Sequence, residues 1–389
     1  MYKRRIVLGG IASATILASG VLTAGTAPAV TVAATAAVPG GAAPAFGPEN
    51  EFHQTNLISN RADQGAQVID PNLQNPWGLA LGPASPLSVA DNASGVATMY
   101  RVNVGGTMAQ KVNLTITLPG GRASTGDGPS PTGQVFNPTN GFVVTSPAGS
   151  GPARFIFSAE AGQISAWSPA ANPVVAGAST AQVEFSSPTA VYKGLAIAST
   201  RGGTFLYASN FHDGTVDVFN SKFQLVHLRG DFQDPSLPAG YAPFGIQNID
   251  GFIYVTYALQ NADKHDDVSG PGHGFIDIFT KDGFLVKRLV SNGDLNSPWG
   301  LAVAPDEFGP FEGKLLVGNF GDGLIHVYGL FSGRPFGPLH NEQGQPIQID
   351  DLWALHVGTA MTGGTHTLLF SAGINDEKDG LVGSIKPVR

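Results

Sequence analysis

The chain has no cysteine. That excludes disulfides, thiolate nucleophiles, zinc–thiolate centres and a lipoprotein acylation site together. Charge is also scarce: 13% of residues are charged against 42% hydrophobic, so the composition is that of a folded chain and not of a disordered acidic one. No lysine- or arginine-rich run occurs beyond residue 5, and the formal net charge is −8. Nucleic acid and anionic membrane surfaces are bound through clustered cations, so the sequence argues against both as partners. Also missing are a Gly-x-Ser-x-Gly elbow, a phosphate loop and a His-Glu-x-x-His pair. After the first residues no apolar run is long enough to span a bilayer, which predicts a soluble mature product.

What the chain does have is glycine and proline, 52 and 28 residues, as many short strands joined by tight turns require. Six times a glycine is followed five residues later by a bulky side chain. The pairs are Gly95–Tyr100, Gly162–Trp167, Gly214–Phe219, Gly274–Phe279, Gly323–Tyr328 and Gly380–Ile385, spaced 49 to 67 residues apart. Between them the pattern alternates, as in Thr-Val-Asp-Val before Phe219, which predicts a half-buried strand. A strand-built unit repeated at this length is a repeat architecture. A second signal opens each unit: Asn75-Pro-Trp-Gly-Leu-Ala80 and Ser297-Pro-Trp-Gly-Leu-Ala302, with weaker copies at Pro131-Thr-Gly133, Tyr192-Lys-Gly194, Ala242-Pro-Phe-Gly245 and Leu352-Trp-Ala354.

Four antiparallel strands repeated six times predict an all-β fold, a six-bladed β-propeller. The last unit has only three strands, and Phe52 to Ile58 has no other place. It is expected to pair as the outer strand of the last blade and close the ring. Residues 52–389 are therefore read as one domain and a monomer. Ahead of it, Lys3, Arg4 and Arg5 precede a glycine-broken apolar stretch and small residues, so 1–37 reads as a signal peptide for the Sec or twin-arginine route. Its removal takes away three cations and shifts the formal charge from −8 to −11. Residues 38–51, rich in Gly, Ala and Pro, read as a flexible leader, and the mature protein is expected to be secreted or extracytoplasmic.

The units resemble NHL-type repeats, best in Gly214-Thr-Val-Asp-Val-Phe219 and Gly274-Phe-Ile-Asp-Ile-Phe279. Across about residues 52–386 the chain is similar to a family of uncharacterised exported bacterial six-bladed propellers. That likeness is carried by His53 to Ser59, Asn75 to Ala80, Tyr257 to Phe279 and Ser297 to Ala302. The resemblance implies a fold and no activity.

In a propeller the loops between strands two and three converge with the entries of strand one on the channel mouth. The polar residues there are Asn92, Glu160, Asn210, His212, Asn319 and Asn375, expected to bind a ligand. One oxygen from each of several blades could ring a hard cation such as calcium, although Asn and Asp also favour turns for backbone reasons alone. The fourth unit carries a long insertion between Tyr257 and Gly274. It includes Asp263, His265, Asp266, Asp267 and His273, candidate ligands for calcium or zinc, with His265 and Asp267 as candidate catalytic residues. Its bland alternative is a solvated loop whose carboxylates cap their own backbone. Asn375-Asp-Glu-Lys-Asp-Gly380 has Lys386 where a calcium loop needs glutamate, which excludes an EF-hand. Two functions follow: a scaffold binding an extracellular ligand or protein at the mouth, with a cation as a structural option, or a metal-assisted hydrolase, lactonase or lyase working there.

Overall fold

The computed structural model describes residues 51–121 and 128–388. The expected signal peptide and leader lie outside the described residues, except for Glu51 at the leader's end. Among the described residues no helix is long and apolar enough to cross a membrane.

Six antiparallel sheets form a six-bladed propeller. Their innermost strands are Pro76–Ala80, Pro131–Phe136, Tyr192–Thr200, Tyr241–Ile249, Pro298–Val303 and Leu352–Val357. Each touches the innermost strands of the blades before and after it, and the last touches the first, so the ring is closed. The glycine-to-aromatic segments become the third strands: Val96–Val102, Gln163–Trp167, Thr215–Phe219, Phe275–Thr280, Ile325–Tyr328 and Leu381–Pro387. Closure follows the expectation. Strand Glu51–Ser59 runs antiparallel to Leu381–Pro387, from Phe52 opposite Pro387 to Ser59 opposite Leu381. Phe52 then packs against Phe308 at 4.8 Å, joining this closing strand to the fifth blade.

Two features differ from the expectation. The alternating third strands are buried on both faces: Thr98, Ser165, Asp277 and His326 are covered along with their aliphatic neighbours. A blade is sandwiched between two others, so neither face meets water. Two of the polar members are held by partners: Thr98 Oγ1 donates to Asp91 at 2.7 Å and Arg288 Nε to Asp277 at 3.1 Å, while His326 Nδ1 is buried without one among the described residues. The sheets also exceed four strands in two places. Ala178–Thr180 adds in parallel to Ala109–Thr117 in the first blade, and Val68–Ile69 and His340–Asn341 flank Glu51–Ser59 in the last. These additions cover outer edges that would otherwise present unpaired backbone.

The second recurring signal has a steric cause. Five innermost strands carry glycine at one position, and there the neighbouring blade leaves no room for a side chain. A Cβ on Gly245 would lie 2.0 Å from the Trp299 carbonyl oxygen, and one on Gly300 2.4 Å from that of Trp353. Hydroxyls of the second strands satisfy carbonyls at this collar: Ser209 Oγ donates to Phe244 at 2.6 Å and Ser371 Oγ to Trp77 at 2.5 Å.

Candidate functional site at the channel mouth

The residue before each collar position is Trp77, Thr132, Lys193, Phe244, Trp299 or Trp353, one from each blade. The four aromatic ones meet on the axis. Trp77 stacks on Trp353 with centroids 3.4 Å apart, Trp299 stands edge-on to both, and Phe320 stacks on Trp353 at 4.2 Å. Phe211 and Phe244 complete the cluster. The axis is therefore filled by aromatic rings immediately below the mouth.

Lys193 takes a wedge position that is aromatic in four of the other blades. Its side chain is 2% exposed. The ammonium lies over the ring of Trp77 at 5.2 Å and of Phe211 at 5.9 Å, while its backbone carbonyl accepts from Trp299 Nε1 at 3.0 Å. Its charge is matched from two other blades. Nζ donates to Glu160 of the second blade and, at 3.5 Å, to Asp266 of the fourth-blade insertion. Burial alone would lower the lysine pKa, but the charges of Glu160 and Asp266 outweigh it and raise it, so the group stays an ammonium.

Around this pair the polar groups are interlocked. Asn92 Nδ2 donates to Glu160 at 3.1 Å, and His265 Nδ1 lies 2.8 Å from Asp266. Burial opposes ionisation of Asp266, but His265 and Lys193 together hold its carboxyl below the usual range; the Asp266 contact in turn raises His265. Glu377 receives Asn75 Nδ2 at 3.0 Å, and Asn75 Oδ1 accepts from Trp353 Nε1 at 3.0 Å. Burial first, then the charge of Glu160, pushes Glu377 up to about 7. One donor atom each from Glu160, His265 and Asp266 lies within 4.8 Å of the others, the one cluster among the described residues with the spacing of a cation site.

The fold thus brings Asn92, Glu160, His265 and Asp266 together, with the Asp267 carboxyl near enough for its charge to act on Lys193, and leaves the other candidates apart. Asn210 braces its own turn through Asp213 at 2.9 Å and Asp217 at 3.1 Å, and His212 contacts Asp213 at 3.0 Å. Asn319 donates to the Asp294 carbonyl at 2.8 Å, and Asn375 to Asp379 at 2.8 Å. Asp263 is exposed on the insertion, Asp267 accepts from Ser269 at 3.0 Å, and His273 turns to the Val268 carbonyl at 2.7 Å. Lys193, Glu377 and Asn75 were not among the sequence candidates. The signal for Lys193 was present, a cation standing in the repeat where other copies carry an aromatic ring.

No family model matches the chain. It is 33% identical over 334 residues to the uncharacterised protein R648 of Acanthamoeba polyphaga mimivirus, covering 85% of this chain and 78% of that protein. The uncharacterised protein L690 of the same virus is 32% identical over 334 residues, covering 85% and 84%. The chain belongs to the family of these proteins. Among solved structures it is similar to the soluble aldose sugar dehydrogenase of Escherichia coli, with a TM-score of 0.50 at 13% identity over 87% of this chain and 100% of that one. It is likewise similar to the α-L-arabinanase of Penicillium chrysogenum, with a TM-score of 0.50 at 12% identity over 86% and 97%. At such identity these two likenesses carry the propeller fold alone.

Proposed function

We propose that this member of the R648 family is an exported propeller scaffold whose acidic mouth binds a positively charged ligand or protein surface. One observation carries the reading. Lys193 is sealed between Glu160 and Asp266 above an aromatic plug, so the mouth offers a closed surface in place of a cleft. The loops there bring Asp213, Asp266, Asp267, Asp322, Asp351 and Asp376 to one face, with Lys264 and Lys378 as nearby cations. Asp266 and Asp213 keep 54% and 43% of their side-chain surface exposed and are the groups a cationic partner would meet.

The test is binding of oligolysine, with oligoglutamate as control, to the described domain over a range of salt. Asp266→Asn with Asp213→Asn should weaken oligolysine binding several-fold. Asp306→Asn with Glu312→Gln, on the loop between strands one and two of the fifth blade at the other end, should not. Equal losses from both pairs, or no oligolysine binding, would refute the proposal.

A metal-assisted hydrolase, lactonase or lyase is the second reading, favoured by the convergence of Glu160, His265 and Asp266. Against it stands Lys193, whose ammonium already neutralises two of those three groups. Zinc- or calcium-dependent stabilisation of the wild type, lost in His265→Ala/Asp266→Ala, would favour the metal reading.

A further inference from the structure

The opposite end of the channel is open. A cavity of about 380 Å³ lies there, floored by Trp299 and reached from the face that carries the loops between strands one and two. All six blades line it, and the residue after the collar supplies Leu79, Gln134, Leu195, Ile246, Leu301 and Leu355 in turn. This volume is within the range that encloses small-molecule ligands, roughly 300–1,000 Å³. The aromatic plug separates it from the charged cluster at the mouth, so the two ends are distinct sites.

The chemistry of the wall selects the occupant. No lysine, arginine, aspartate or glutamate lines the cavity, so an ion entering it would lose its hydration uncompensated. The wall is not simply greasy either. Each innermost strand pairs on one side only, with the second strand of its own blade, so N–H and C=O groups of its other edge face the axis, although side chains already take several, as at the Gly78, Ile197 and Phe244 carbonyls. Gln134 is consumed internally, donating to the carbonyls of Gly78 at 2.6 Å and Ser88 at 2.8 Å and accepting from Ser88 Oγ at 2.8 Å. His356 remains. Its Nδ1 is 2.6 Å from the Val357 carbonyl and carries the proton, leaving Nε2 as an acceptor. Burial holds this histidine's pKa below the ordinary value, which keeps the ring neutral. Gln247 stands at the cavity's edge with an amide donor and acceptor, and beside it Asn248 Nδ2 donates to the Ile197 carbonyl at 3.0 Å. An indole floor, aliphatic flanks, many neutral hydrogen-bonding groups and no fixed charge match a ring with apolar faces and hydroxyl edges.

We propose that this end of the channel binds a neutral, hydroxyl-bearing ring compound of the carbohydrate class, seated over Trp299 and hydrogen-bonded to His356 and to the strand-edge groups that no side chain takes. This site is independent of the mouth proposal.

The experiment titrates a panel of neutral mono- and disaccharides, read by tryptophan fluorescence and saturation-transfer NMR, beside the apolar probe N-phenyl-1-naphthylamine. At least one sugar should bind saturably. Ile197→Trp and Gln247→Trp each narrow the cavity, and each should weaken that binding by about tenfold or more; His356→Ala should weaken it by about tenfold, the loss of one good hydrogen bond. Asp266→Asn at the mouth should leave it unchanged. Each variant is accepted only with a wild-type melting profile, and the two narrowing positions guard against one failing to fold. No saturable sugar, undiminished binding in both narrowed variants, or entry of the naphthylamine alone would overturn the proposal.

Discussion

The ammonium of Lys193, on the innermost strand of the third blade, is paired with the carboxylate of Glu160, on the loop between strands two and three of the second. The lysine is 2% exposed and the glutamate 15%. The pair ties two blades together at the axis, and Asp266 adds a third. A buried pair of this kind contributes little over an apolar substitute, but removing one member leaves the other charge uncompensated.

Lys193→Ala should therefore destabilise the domain by about 3–5 kcal/mol. It should also leave Glu160, His265 and Asp266 converging on an emptied position. Zinc should raise the melting temperature of the variant and not that of the wild type; an equal rise in both would show that the lysine does not occupy a latent cation site.

Glu377 makes stability depend on pH. Its carboxyl, ordinarily near 4.5, is raised to about 7, so the folded protein holds a proton there that the unfolded chain has lost. That contribution is complete below about pH 4.5 and disappears as pH rises through 7. Its upper bound is about 3 kcal/mol, at 1.36 kcal/mol per unit. Urea melts at pH 5 and pH 8 should show a wild-type decline that is smaller in Glu377→Gln. Asp277 is likewise raised to about 7 by burial, which Arg288 only partly offsets, so part of the decline should persist in the variant.

The collar glycines should not tolerate a methyl group. In Gly245→Ala and Gly300→Ala the new Cβ meets backbone that cannot move without shifting a blade, predicting losses of about 3 kcal/mol or more. Gly128→Ala, with nothing within 4 Å of the added Cβ, should be nearly neutral by the same denaturation assay.

Phe52→Ala should cost about 3–5 kcal/mol. Phe52 is 1% exposed and packs on Phe308 and Phe311, so its loss loosens the closing strand where it meets the fifth blade. Hydrogen exchange should show the effect first in the last blade, along 51–59 and 381–387. Uniform loss of protection over all blades would mean that closure is not a local element.

Much of this was legible because it rests on local chemistry. Gly214 to Phe219 announces a turn and a strand from spacing alone, and the unpartnered Phe52 segment implied closure once six units were counted. The insertion at 261–273 was legible as an anomaly of length, and its His265 and Asp266 do reach the mouth. Asn210 and Asn319 could not be told from ligands in advance, since the same amide serves a turn or a ligand depending on where the loop's own carboxylates and carbonyls fall. The parallel addition of Ala178–Thr180 to the first blade was hidden for a different reason. It joins strands far apart in sequence and carries no pattern of its own.

The sequence by itself determined the repeat, the strand periodicity, the glycine collar and the exclusion of thiol chemistry, because turn geometry, alternation and steric fit are written residue by residue. Only the tertiary structure decided that a lysine at an aromatic wedge position is a buried ammonium under Glu160 and Asp266. It alone decided also that the channel is stopped at the mouth by Trp77 and Trp353 and open beyond Trp299. Charge pairing and channel closure depend on which side chains meet across blades dozens to hundreds of residues apart, a distance in space that no local spacing encodes.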